Sequence, residues 1–174
     1  MSGTSGTKEI FIRIDRCVGC HTCEIACAVE HSASKQLLTA VAEPIKPRMR
    51  LHVAAAASHS VPVVCRHCED APCAAVCPTG ATYRDEAGGL VLQDPRKCIG
   101  CLLCVQACPF GMMGQRAESR IAVKCDRCPD RHRPACVDAC PTRALVYTDS
   151  DVHAKAKRKA VVQALVSSYL PGEA

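Results

Sequence analysis

Sixteen cysteines in 174 residues, gathered into four groups, constrain this chain more than any other feature. The groups are Cys17, Cys20, Cys23 and Cys27; Cys65, Cys68, Cys73 and Cys77; Cys98, Cys101, Cys104 and Cys108; and Cys125, Cys128, Cys136 and Cys140. Each opens with Cys-x-x-Cys and closes with Cys-x-x-x-Cys, only the middle gap varies, and no cysteine is left over. A repeat this regular is one device used four times.

Three chemistries use clustered cysteines: disulfides, structural zinc and iron–sulfur clusters. Structural zinc takes two Cys-x-x-Cys pairs separated by a longer loop, and a third thiolate at Cys-x₂-Cys-x₂-Cys spacing crowds such a site. The first and third groups instead match the run that wraps a cubic cluster, with Gly19 and Gly100 easing the tight loop. In that run the fourth cysteine lies beyond the loop and serves a different cluster, so groups act in pairs. Pro78, Pro109 and Pro141 follow the fourth cysteines of the last three groups and turn the chain sharply. Cys27 is followed by Ala28 instead, which leaves a helix begun near Cys23 free to run on through Glu30.

Composition agrees with a metal-filled interior. There is no tryptophan and only 3% of the chain is aromatic, too little to fill a core by side chains alone. The N-terminal "MSGTSGTKEI" carries no apolar signal core or twin-arginine pair, which predicts a cytoplasmic protein with reduced thiols. The apolar stretch Val53 to Val64 contains His59 and Pro62 and is too short to span a bilayer. The formal charge of +5 ignores the metal: four oxidised clusters with their thiolates, about −2 each, bring the loaded protein to roughly −3. With few aromatic residues to stack bases, nucleic acid is not an expected partner.

Between the groups the pattern predicts strands at Glu9–Ile14, Arg48–Val53, Gly89–Asp94, Arg120–Cys125 and Ala144–Asp149. A hairpin is predicted to turn at Asp85 to Gly89, and a helix over Asp151 to Leu170 to pack on the body or on a partner, with a membrane-surface role as the lesser alternative. His21 and His67 sit inside cysteine loops and are candidate tuning residues, although exposure as ordinary loop residues is the simpler expectation for both. Arg66, Lys124 and Arg127 are expected to be solvated or charge-compensating. His31, His52, His59, His132 and His153 show no ligand pattern.

From Glu9 to Thr148, the four-group order with widened gaps in groups two and four resembles the four-cluster electron-transfer subunits of oxidoreductase complexes. Such subunits accompany formate dehydrogenase and hydrogenlyase, dimethyl sulfoxide reductase, carbon monoxide dehydrogenase and tungsten aldehyde oxidoreductase. "CVGCHTCEIACAVEHS" looks closest to the small soluble subunits of the last two. The resemblance implies an α+β fold of tandem bacterial-ferredoxin-like lobes, with short β-hairpins and short helices wrapped around four 4Fe–4S clusters, plus a C-terminal helix. It implies an outer lobe of residues 1–64 with 110–150, an inner lobe of 65–109, and a helix and tail at 151–174. Its pairing of groups implies four ligand sets: Cys17, Cys20, Cys23 with Cys140; Cys125, Cys128, Cys136 with Cys27; Cys65, Cys68, Cys73 with Cys108; and Cys98, Cys101, Cys104 with Cys77.

The implied function is one-electron relay, without catalysis by this chain. The implied partners are a catalytic subunit of the tungsten or molybdenum aldehyde oxidoreductase or carbon monoxide dehydrogenase type, a flavin/NAD subunit, and stacked copies of the chain itself. No nucleophile–base constellation, phosphate loop or dinucleotide fingerprint is present in the sequence. The alternative is a structural, assembly or redox-sensing iron–sulfur protein whose clusters never turn over.

Overall fold

The computed structural model describes residues 8–116 and 118–169. It is a mixed helix and strand structure in which every sheet is a two-stranded antiparallel ribbon. Strand β1 (Lys8–Ile12) pairs with β8 (Leu145–Asp149), from Lys8 opposite Asp149 to Ile12 opposite Leu145. This pairing joins the two ends of the cysteine-bearing region. Isolated ribbons of this size are marginal in water, so they depend on what they pack against.

Two cores hold the molecule. The first gathers Ile10, Leu51, Val64, Val137 and Leu145 around Cys23, Cys27 and Cys136. Here helix α1 (Thr22–Glu30) packs against α5 (Ala135–Asp138), so cysteine groups one and four meet. The second gathers Val91, Met113 and Ala122 around Cys73 and Cys104, where α3 (Pro72–Ala75) packs against α4 (Leu103–Ala107). Groups two and three meet there. Full burial of an aliphatic side chain contributes about 1.5–3 kcal/mol, and these cores contain few such residues beside their cysteines.

Helix α1 runs to Glu30, as the missing proline at position 28 permits. The predicted hairpin forms from β4 (Thr82–Arg84) and β5 (Val91–Gln93), with Tyr83 opposite Leu92. The Gly89 N–H bonds to Asp85 O at 2.8 Å, and Gly89 adopts a left-handed φ of 65°.

Two predicted strands differ. Arg48–Val53 becomes β2 (His52–Ala56), paired with β3 (His59–Val63), because the Arg50 N–H is directed to the sulfur of Cys27 and not to a strand partner. Arg120–Cys125 shrinks to β7 (Ala122–Val123), paired with β6 (Gly114–Gln115), because Lys124 and Cys125 turn inward.

Helix α2 (Leu37–Ala42) exposes Leu37, Leu38 and Val41. The last helix, α6 (Ser150–Tyr169), starts where the Asp149 carboxylate accepts the Asp151 N–H at 2.8 Å. His153 stacks on Phe11 with ring centroids 3.9 Å apart. The helix meets the body chiefly at β8 and β1, and it contains no buried residue. Leu170, the predicted last helical residue, lies outside the described residues. Among the described residues, no helix is long and apolar enough to cross a membrane.

Candidate metal centres

The four cysteine loops share one backbone device. The residue before the second cysteine is left-handed in every group: Gly19 (φ 66°), His67 (47°), Gly100 (70°) and Arg127 (65°). In groups one and three the space at this position is tight as well. A Cβ on Gly19 would lie 2.5 Å from Ser60 Oγ, and one on Gly100 would lie 3.1 Å from Arg120 O. In groups two and four, buried side chains project from the same loop position instead.

After the loop, the last three groups close with a second shared device. Cys77-Pro78-Thr79-Gly80, Cys108-Pro109-Phe110-Gly111 and Cys140-Pro141-Thr142-Arg143 each form a turn in which the fourth residue's N–H bonds to the cysteine carbonyl at 3.2–3.3 Å. The returning chain then donates a backbone N–H to the cysteine sulfur: Thr82 to Cys77 at 3.4 Å, Met112 to Cys108 at 3.3 Å, and Ala144 to Cys140 at 3.1 Å. Cys27 lies within a helix and has no such turn. Its sulfur takes the N–H of Arg50, 23 residues away, at 3.3 Å. Hydrogen bonds to the charged form of a ligand orient it and favour the thiolate.

The arrangement of the sulfurs fits a cluster-holding role. Cys65, Cys68, Cys73 and Cys108 line one cleft. Burial pushes the Cys23 thiol up to about 11, and Cys140 is the thiol whose charge adds to that effect. Burial pushes Cys27 up to about 12, with Cys125 and Cys128 adding. Cys73 is raised by burial, with Cys65 and Cys108 contributing, and Cys104 by burial, with Cys98 and Cys77 contributing. Burial also raises Cys125, to about 11, and Cys136. Crowded buried thiols of this kind favour binding a cationic centre over ionising alone, and they release protons when they do so.

Several polar residues differ from expectation. His67 was more readily read as exposed but is only 5% exposed, and its Nδ1 accepts the Val91 N–H at 3.1 Å. Burial, with the charges of Lys124 and Arg127, brings its pKa down to about 3, so the ring is neutral. Of the two readings for Lys124 and Arg127, solvated or charge-compensating, exposures of 3% and 5% remove the first. Arg127 pairs with Glu9 and also donates to Lys8 O, while Lys124 donates to Val91 O and Cys125 O. Arg66 and His21 are exposed, and His21 Nδ1 lies 2.7 Å from Glu24 Oε2.

One network had no sequence signal. His31 Nδ1–H donates to the Cys27 carbonyl at 2.7 Å and lies 3.7 Å from its sulfur, while Nε2 faces Asp126 Oδ1 at 3.1 Å. Arg50 also pairs with Asp126. Burial opposes ionisation of Asp126, but the His31 hydrogen bond and the Arg50 charge hold its carboxyl well below the usual carboxylate range.

Comparison with known proteins defines the class to which this site belongs. Residues 56–150 match the 4Fe–4S dicluster domain, and residues 14–30 match a 4Fe–4S binding domain. The chain is a member of this iron–sulfur family, and curated relatives over most of its length are named as electron-transfer proteins.

Among particular relatives, it is 39% identical to an iron–sulfur protein of Rhodospirillum rubrum over 92% of each chain. It is 43% identical to the electron transport protein HydN of Escherichia coli (strain K12), over 82% of this chain and 88% of the other. It is 42% identical to the thiosulfate reductase electron transfer subunit PhsB of Salmonella typhi, over 76% of this chain and 70% of the other. The protein transfers electrons through 4Fe–4S clusters as part of an oxidoreductase system.

Proposed function

We propose that this chain relays single electrons through four 4Fe–4S clusters between a catalytic oxidoreductase subunit and an acceptor such as a flavin/NAD subunit. The donor we favour is a tungsten or molybdenum aldehyde oxidoreductase or a carbon monoxide dehydrogenase, with the complex in the cytoplasm. Similarity to an electron transfer subunit of thiosulfate reductase supports a catalytic partner in general.

Two clusters belong to an outer lobe of residues 1–64 and 110–150. One is held by Cys17, Cys20, Cys23 and Cys140, the other by Cys125, Cys128, Cys136 and Cys27. Two belong to an inner lobe of residues 65–109: Cys65, Cys68, Cys73 with Cys108, and Cys98, Cys101, Cys104 with Cys77. The observation that carries this assignment is the cleft lined by Cys65, Cys68, Cys73 and Cys108, three sulfurs of one group with the last of another. When bound, each cluster supplies a one-electron couple. The protein's own part is to exclude water, to aim N–H groups at the sulfurs and to set the nearby charge.

Metal analysis and reduction test the reading together. Roughly four irons and matching labile sulfide per cluster are expected, with electron paramagnetic resonance signals appearing on reduction by dithionite or by substrate plus partner. Abundant zinc without labile sulfide would overturn the cluster assignment. Clusters that no reductant can reduce would overturn the relay. Co-purification of the native protein identifies the partner: recovery of a tungsten, molybdenum or carbon monoxide enzyme supports the donor proposed, and stable recovery with a different oxidoreductase replaces it.

A further inference from the structure

Buried cations in this molecule are unevenly matched. Arg127 is neutralised by Glu9. Lys124 is 3% exposed, yet its Nζ finds only carbonyl oxygens, those of Val91 and Cys125, and among the described residues it forms no salt bridge within 4.0 Å. A buried ammonium without a counter-charge is strongly unfavourable. Lys124 lines the cleft that also holds Cys65, Cys68, Cys73 and Cys108.

A second side chain in the same wall is incomplete in a complementary way. His67 Nδ1 accepts the Val91 N–H, which assigns the ring proton to Nε2, and Nε2 is buried with no partner. Val91, only 1% exposed, therefore fixes both groups, His67 through its N–H and Lys124 through its carbonyl. His67 projects from the loop position that Gly19 and Gly100 hold in groups one and three, so a side chain has been admitted where the backbone does not require one. Lys124 immediately precedes Cys125 in the chain and also lines the cleft of Cys65, so it stands between a sulfur of the fourth group and those of the second.

We propose that His67 and Lys124 act as a donor-and-cation pair that raises the potential of the cluster held by Cys65, Cys68, Cys73 and Cys108, making it the station where an electron rests as it crosses between the cores. This deepens the relay reading and rests on it. A 4Fe–4S centre with four thiolates is anionic, and reduction adds one further negative charge. The Lys124 ammonium and the unpartnered His67 Nε2–H, which line the same cleft as those sulfurs, both stabilise that added charge more than the oxidised form. The crossing moves one electron: the Cys125 site is oxidised by one as the Cys65 site is reduced by one, with no bond or proton exchanged. The two side chains differ in reach. Lys124 bears on both sites, whereas His67 bears on the inner one alone.

The test is a reductive titration of the purified, cluster-loaded protein followed by electron paramagnetic resonance, with iron and sulfide counted in each sample. Lys124→Met is expected to make two clusters at least tenfold harder to reduce at a given potential, about 59 mV for a one-electron couple. His67→Gly, which the left-handed backbone accepts, is expected to shift one cluster in the same direction, and His67→Gln to restore part of that shift through its amide donor. Should Lys124→Met fail to hold its clusters, Lys124→Gln keeps a donor for the Val91 carbonyl and is read in the same way. Variants with full iron and wild-type potentials overturn the proposal while leaving the relay intact. A wild-type protein without labile sulfide overturns the relay reading itself.

Discussion

The first cysteine group and the other three solve the same problem by different routes. Groups two, three and four end in a Cys-Pro turn that swings the chain back and delivers a backbone N–H to the last sulfur within five residues. Group one has Ala28, so α1 continues, and the N–H for Cys27 comes from Arg50. One arrangement is local and carried by the motif. The other is tertiary and depends on the 31–50 segment being folded against α1. The same segment supplies His31 and the Arg50 side chain to Asp126, so it tethers groups one and four to each other. The contrast shows that a motif can lack a local turn and still receive an N–H at its last sulfur, at the cost of coupling to distant chain.

The largest way to break the comparison is to remove the iron, because neither arrangement is expected to hold without it. Both cores are small and centred on cysteines, and small domains short of apolar core rely on metals. Chelation under reducing conditions should abolish most native circular dichroism and give a broad, non-cooperative thermal transition. A sharp transition retained by the apo-protein would show that the side chains suffice.

Next in size is Cys27→Ala, which should cost one cluster, about four irons. The signal lost should be that of the Cys125, Cys128 and Cys136 site before that of the Cys17 site. Loss of the Cys17 site alone would show that the pairing of groups is wrong. Exchanging the two arrangements has a smaller effect. Ala28→Pro places proline inside α1 and should destabilise the protein by about 3 kcal/mol, measured by denaturant unfolding of the loaded protein. Pro109→Ala keeps the turn and the N–H to Cys108, and should cost about 1 kcal/mol or less. Equal losses at the two positions would erase the distinction between local and tertiary closure.

What could be read in the sequence follows the same division. The cysteine groups, the Cys-Pro turns, the β4–β5 hairpin and the run of α1 to Glu30 all rest on spacing and on Pro or Gly within a few residues. The shift of β2 to His52–Ala56 was not legible, because the Arg50 N–H is claimed by a sulfur that only the tertiary fold brings near. Nor was the burial of Lys124, since charged residues beside cysteines are ordinarily solvated. A usable signal did exist for His67, and for Arg127 at the same position of group four. Each occupies the loop position held by glycine in groups one and three, and a bulky residue at such a left-handed position is uncommon enough to warrant a reason. The network of His31, Asp126 and Arg50 joins residues up to 95 apart and left no trace in local pattern.

The smallest effect sharpens the comparison among the three Cys-Pro turns themselves. Gly80 and Gly111 close two of them with φ of 65° and 63°, whereas Arg143 closes the third at 55°. A left-handed residue with a Cβ costs roughly 1–2 kcal/mol, which Arg143→Gly would relieve. Glycine loses more backbone freedom on folding, roughly 0.5–1 kcal/mol, and this opposes the gain. The balance predicts a stabilisation of about 1 kcal/mol or less, seen as a small rise in the denaturant midpoint with unchanged slope. The Ala144 N–H to Cys140, already the shortest of the three sulfur contacts at 3.1 Å, should keep the cluster signal unaltered. A fall in stability would mean that the Arg143 side chain does more in the loaded protein than close a turn.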